Sequence, residues 1–219
     1  MVDAPPARVM AQRPRPLPVL ILADVSGSMA DDGKIGVLNQ AVATMIRAFA
    51  AEDSLRGELW AGVVTFGGRG ATLHHPLAPA SEVRWQDMSA AGRTPLGAAL
   101  DVVTDLLADD AFVPRRAFRP TLVLVSDGIP TDQWQQPLVR LLASERGAKA
   151  LRLAVGVGQE MDGEAFAVLD AFIDNPLIKV GRADEVHELT RYFDWVTATV
   201  TTQVRSGRIT NDDLMGFMN

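Results

Sequence analysis

Asp24, Ser26 and Ser28 occupy alternate positions in Asp24-Val25-Ser26-Gly27-Ser28-Met29, so one short loop carries a carboxylate and two hydroxyls. Three hard oxygen donors suit Mg²⁺ or Mn²⁺ far better than a soft metal. The same residues also describe an Asx or Ser turn capping the next helix. Two further oxygen donors stand far off in the chain: Thr94 in Ala91-Gly92-Arg93-Thr94-Pro95, and Asp127 in Ser126-Asp127-Gly128. Each has a local alternative. Thr94 before Pro95 reads as an N-cap with proline at the first helical position, and Asp127-Gly128 as a polar turn leaving a strand. Whether these donors form one site depends on the elements that carry them.

Residues 17–23 are apolar without alternation, as in a parallel strand buried on both faces, and the Asp24 loop leaves their C-terminal end. Residues 59–66, 121–125 and 151–157 read as further strands, and 177–180 as a short one. Residues 71–76 fit a short edge strand, because Pro76 cannot donate to a central ladder. Amphipathic helices lie between them: Ile35 to Phe49 at three- and four-residue steps, Leu96 to Leu107, residues 134–147 ended by Gly147, residues 164–172, and a long one from Val186 to Val204. Strands alternating with helices imply βαβ units and a mostly parallel sheet, in one α/β domain over residues 17–205. If the first strand and the 121–125 strand are neighbours where strand order reverses, their C-terminal loops open into one crevice. That crevice would bring Asp24, Ser26, Ser28 and Asp127 together, with Thr94 at the start of a helix beside them.

With 219 residues, 47% of them hydrophobic, the chain can build one sizeable core. A net charge of −6 argues against a nucleic-acid groove or an anionic membrane as the main partner. The absence of cysteine removes disulfides, zinc-thiolate sites and thiol nucleophiles, and fits a reducing compartment. No stretch reads as a secretory signal or a membrane span, so the expected setting is cytoplasmic. Residues 1–16 read as a flexible Pro/Arg-rich leader and 206–219 as a tail, in which Leu214, Met215, Phe217 and Met218 would suit a docking peptide.

These residues carry a resemblance to the von Willebrand factor type A domain, whose metal-ion-dependent adhesion site uses D-x-S-x-S, a Thr from a second loop and an Asp from a third. The matching positions are Asp24, Ser26 and Ser28, then Thr94, then Asp127, within a resemblance that covers residues 17–202. It implies a Rossmann-like, doubly wound sheet of six strands, mostly parallel, with one short antiparallel strand. It implies direct bonds to Mg²⁺ or Mn²⁺ from Ser26, Ser28 and, in the open state of such sites, Thr94, with Asp24 and Asp127 often acting through water. An open coordination position would then take an Asp or Glu carboxylate from a partner protein. Segments 15–29, 94–100 and 119–134 are also similar to bacterial TerY-like proteins of tellurite-resistance and stress-response clusters. That narrower resemblance implies a scaffold with kinase, phosphatase or Ter-family partners. Arg93 departs from the family pattern, which usually has glycine before the Thr.

Other positions read more plainly. Arg93 and Trp134 are candidate rim contacts for a partner; Trp134 has the alternative of packing its own loop. Asp31, Asp32 and Asp132 read as solvated loop or cap residues, and His74 and His75 as edge-strand surface. Trp60, Trp85 and Trp195 read as packing. The C-terminal helix resembles one linked in some type A domains to rearrangement at the metal site. Among enzyme readings, a Mg²⁺-dependent phosphohydrolase of haloacid-dehalogenase type needs a second Asp where Ser26 stands, and no Lys is evident beside the site. The G-x-x-x-x-G-K-[ST] phosphate loop and the G-x-S-x-G nucleophile elbow are both missing. The expectation is a protein-interaction module with no catalytic residue.

Overall fold

The computed structural model describes residues 14–52, 57–158, 161, 163–207 and 210. Six strands form one sheet in the order β3-β2-β1-β4-β5-β6. They are β1 (Arg15–Asp24), β2 (Gly57–Gly67), β3 (Gly70–Pro79), β4 (Thr121–Ser126), β5 (Leu151–Val157) and β6 (Gly181–Ala183). β2 and β3 pair antiparallel, and every other neighbouring pair is parallel. This is the expected Rossmann-like α/β sheet with one antiparallel edge strand, although that strand runs for ten residues and is not short. Strand order reverses between β1 and β4.

Continuous apolarity explains the centre of the sheet. Leu17 and residues 19–23 of β1 are fully buried, as are residues 122–125 of β4, because helices cover both faces. Among the described residues six α-helices pack around the sheet: α1 (Lys34–Ala50), α2 (Leu96–Ala108), α3 (Gln135–Ala143), α4 (Glu145–Lys149), α5 (Gly163–Ile173) and α6 (Val186–Ser206). β1 starts earlier than its apolar run, at Arg15, opposite Gly57 of β2. Pro16 and Pro18 are tolerated because pairing of β1 with β4 begins only at Val19. Arg15, Pro16 and Ser206, at the inner edges of the expected leader and tail, thus belong to regular elements. Residues 1–13 and 211–219, with the apolar tail positions, lie outside the described residues.

Two elements differ from the sequence reading. The helix expected over residues 134–147 is two helices, broken at Ser144, which is extended (φ −72°, ψ 150°). The Ser144 hydroxyl accepts a hydrogen bond from Gly147 N at 3.1 Å, so serine leaves one helix and caps the next. The strand expected at 177–180 is a turn. Asn175 captures its amides: Leu177 N donates to Asn175 Oδ1 at 3.0 Å, and Ile178 N to Asn175 O at 3.1 Å. Strand pairing resumes only at Gly181, opposite Val155.

Candidate functional site

β1 and β4 end side by side, which places the loops after Ala23 and Val125 against each other. Asp24 is fully buried, and Ser26 and Asp127 nearly so, while Ser28 is exposed. Hydrogen bonds join the four into a chain. Ser26 N donates to Asp24 Oδ1 at 2.8 Å, and the Ser26 and Ser28 hydroxyls lie 3.1 Å apart. The Ser28 hydroxyl then donates to Asp127 Oδ1 at 2.7 Å. From behind, the Ser126 hydroxyl donates to Asp24 Oδ2 at 2.6 Å. Burial raises the Asp24 carboxyl from the ordinary carboxylate range to about 6, against the lowering effect of the hydrogen bonds from Ser126 and Ser26.

Thr94 arrives by a different route. The irregular segment before α2 is anchored on α1 by Asn39, whose Nδ2 donates to Met88 O at 3.0 Å while its Oδ1 accepts from Met88 N at 2.8 Å. The segment then runs beside the first loop, where Ala91 N donates to Val25 O at 2.8 Å and Gly27 N to Gly92 O at 3.0 Å. Gly92 adopts φ +76°, and a Cβ there would lie 2.5 Å from Gly68 Cα, so only glycine lets these backbones meet. On the other side Thr94 N donates to Thr131 Oγ1 at 3.1 Å, and Thr131 N donates to Thr94 O at 2.9 Å. The backbone at Thr94 is therefore held between the Asp24 loop and the Asp127 loop, and the residue is 7% exposed.

Thr94 is not the cap of α2. The helix starts at Leu96, whose N donates to Thr94 O at 3.0 Å, and the next two amides, Gly97 N and Ala98 N, donate to the Asp132 carboxylate at 2.9 and 3.0 Å. Asp31 and Asp32 are exposed. Arg93 is exposed, whereas Trp134 is half-buried against the core. His74 Nε2 bonds Gln86 O at 2.8 Å on the β3 edge, and His75 Nδ1 bonds Pro76 O at 2.7 Å. Trp60, Trp85 and Trp195 are partly buried against the core.

One residue contradicts the sequence reading outright: a lysine does stand at this site. Lys34 Nζ, at the first position of α1, donates to Asp127 Oδ2 at 2.9 Å. Nothing in the local pattern marks it, since its reach depends on the turn through Asp32 and Gly33 and on the end of β5. Ser126 and Thr131 were also missed, although a lone hydroxyl closing an apolar strand is a legible signal. Ser28, Lys34 and Asp127 border an open cleft of about 620 Å³ that Asp31, Asp32, Asp184 and Glu185 also line.

The donor set is all oxygen, which fits a hard divalent cation and no soft one. Among the described residues no three His, Cys, Asp or Glu side chains cluster as a metal site. The arrangement instead offers two carboxylates with hydroxyls between them, so any cation here would stay strongly electrophilic. Among the described residues no helix is long and apolar enough to cross a membrane.

The sequence profile of the von Willebrand factor type A domain matches residues 19–129, just over half of the chain. That span includes Asp24, Ser26, Ser28, Thr94 and Asp127. Solved structures share the fold at low identity. A von Willebrand factor type A protein from Catenulispora acidiphila aligns with a TM-score of 0.65 and 18% identity, over 85% of this chain and 43% of that one. The pilus adhesin SpaC from Lactobacillus rhamnosus GG, in its open conformation, aligns at 0.71 and 14%, over 88% of this chain and 31% of that one. Proximal thread matrix protein 1 from the mussel byssus, with a zinc-occupied MIDAS motif, aligns at 0.60 and 14%, over 85% of this chain and 48% of that one. This chain thus spans about half or less of the length of these proteins. No curated protein matches it in sequence. Profile and topology together establish that the chain belongs to the von Willebrand factor type A domain family.

Proposed function

We propose that the chain is a metal-dependent protein-interaction module, in which Asp24, Ser26, Ser28, Thr94 and Asp127 hold Mg²⁺ or Mn²⁺ for a partner's Asp or Glu carboxylate to complete. The observation that carries this reading is the hydrogen-bonded chain Asp24–Ser26–Ser28–Asp127 at the β1/β4 switch point. A buried carboxylate that works against its own ionisation makes sense where a cation is to balance it. Both Asp24 oxygens already accept hydrogen bonds, which favours Asp24 as a fixed charge behind Ser26 and Ser28. The zinc-occupied motif of the mussel protein supports a divalent ion at such a site in this fold. Neutral hydroxyls leave the ion's charge for a partner anion, and exposed Arg93 and half-buried Trp134 are the rim residues proposed to meet it.

The setting is proposed from the TerY-like resemblance: a cytoplasmic scaffold of a bacterial tellurite or stress response, with kinase, phosphatase or Ter-family partners. Affinity capture with the full chain tests both parts. Such partners should be retained in Mg²⁺, released by EDTA and lost with Thr94→Ala; retention unchanged by EDTA would refute metal bridging.

The Lys34–Asp127 contact also gives a phosphohydrolase reading the lysine that such chemistry uses beside its site. Ser26 still stands where that chemistry needs its general acid. Turnover of an aryl phosphate with Mg²⁺ that disappears in Asp24→Ala would establish the enzyme instead; background rates in both support the module.

A further inference from the structure

We propose that Lys34 is an internal competitor for the cation, so that metal binding at the ring of oxygen donors from Asp24, Ser26, Ser28, Thr94 and Asp127 requires the ammonium to leave Asp127. The inference rests on the metal-ring reading and adds a regulating residue to it. Lys34 Nζ lies 2.9 Å from Asp127 Oδ2, while Asp127 Oδ1 accepts from Ser28 at 2.7 Å. Both oxygens of that carboxylate are therefore committed, one of them to a positive charge. The pair is screened from solvent: the Lys34 side chain is 12% exposed and that of Asp127 is fully buried. Water weakens such a contact far less than it weakens a surface salt bridge.

The fold shapes this position from two sides. Asp32 (φ 51°) and Gly33 (φ 72°) turn the chain through left-handed conformations immediately before Lys34. On its other side, Gly158, the residue after β5, adopts φ +96°, and a Cβ there would lie 3.1 Å from Lys34 Cε and 3.3 Å from Nζ. The left-handed turn starts α1 where the lysine reaches the ring, and the glycine makes room for its tip.

A divalent ion drawing on Asp127, directly or through water, meets the ammonium at the same carboxylate. Two cations sharing one partly buried anion repel each other, so occupancy by one lowers affinity for the other, reciprocally. The metal is then held more weakly than by the oxygen set alone, and its arrival frees Lys34 into the cleft that Asp31, Asp32, Asp184 and Glu185 line. If Lys34 instead served to orient Asp127 for the metal, its loss would weaken binding. The sign of the effect separates the two roles.

The test is calorimetric titration of Mn²⁺ into the full-length wild type and Lys34→Met, which keeps most of the side-chain length without the charge. Coupling of ordinary size predicts binding at least about fivefold tighter in Lys34→Met. Equal or weaker binding in the variant, with saturable binding in wild type, overturns the competitor and leaves the ring intact. Absence of saturable binding in both proteins overturns the ring reading and this proposal with it. Because Lys34→Met leaves Asp127 buried without its cation, a second measurement uses wild type alone. Lys34 should acylate slowly without metal and several-fold faster in saturating Mn²⁺, by peptide mapping; a rate that metal leaves unchanged overturns the proposal.

Discussion

Asp24 lies fully buried at the end of β1, with Ser26 and Ser126 donating to its two oxygens, and burial raises its carboxyl to about 6. The unfolded chain releases that proton near the ordinary carboxylate value of 3.8. Between those two values the native state holds a proton that the unfolded state has lost, so stability falls as pH rises through the window and stays lower above it. A shift of this size corresponds to ~3 kcal/mol. In urea unfolding without metal, wild type should lose up to ~3 kcal/mol relative to Asp24→Asn between pH 4 and pH 7. A difference independent of pH would contradict the assignment. A bound cation balances the same charge, so stabilisation by Mg²⁺ should grow as pH rises through about 6 in wild type and vanish in Asp24→Asn.

At the scale of elements, the question is what delivers Thr94. The segment before α2 is fixed by Asn39, by Gly92 against Gly68, and by the exchange with Thr131, while Asp132 caps the helix. Asp132→Ala should destabilise the fold by ~1 kcal/mol through lost capping, and should weaken metal binding without touching the ring. Gly92→Ala should be more damaging, by ~1–3 kcal/mol, because it adds both a strained φ and a clash. Chemical denaturation of each variant, with a Mg²⁺ titration alongside, checks both values; unchanged metal affinity in both would mean that Thr94 does not contribute.

The sheet was legible because residues 17–23 of β1 and 122–125 of β4 are apolar without interruption, and β5 is broken only by Arg152, a pattern that few alternatives share. Residues 177–180 hold three apolar side chains around Lys179, yet Asn175 takes the amides of Leu177 and Ile178 into a turn, a competition that composition does not reveal. Ser144 misleads in a similar way: its hydroxyl interrupts a run that is helical on either side. At the site, Asp24, Ser26, Ser28 and Asp127 were legible because they leave strand ends. Lys34 was not, because its meeting with Asp127 spans 93 positions and depends on backbone turns at Gly33 and Gly158.

For the whole molecule, the von Willebrand factor type A fold brings loops from distant parts of the chain to one edge of the sheet. The reversal of strand order between β1 and β4 is what opens that edge to a ligand. With a net charge of −6 and carboxylates along the adjoining cleft, a partner offering its own carboxylate meets repulsion until a cation is in place. Partner binding should therefore depend on the metal more steeply at low ionic strength than at high. Metal binding at the β1/β4 edge is the central claim, and the decisive measurement is calorimetric titration of Mg²⁺ into the metal-free full chain beside Asp24→Ala. One saturable site is expected in wild type and none in Asp24→Ala. Equal binding in both proteins, or no saturable heat in wild type, would contradict it.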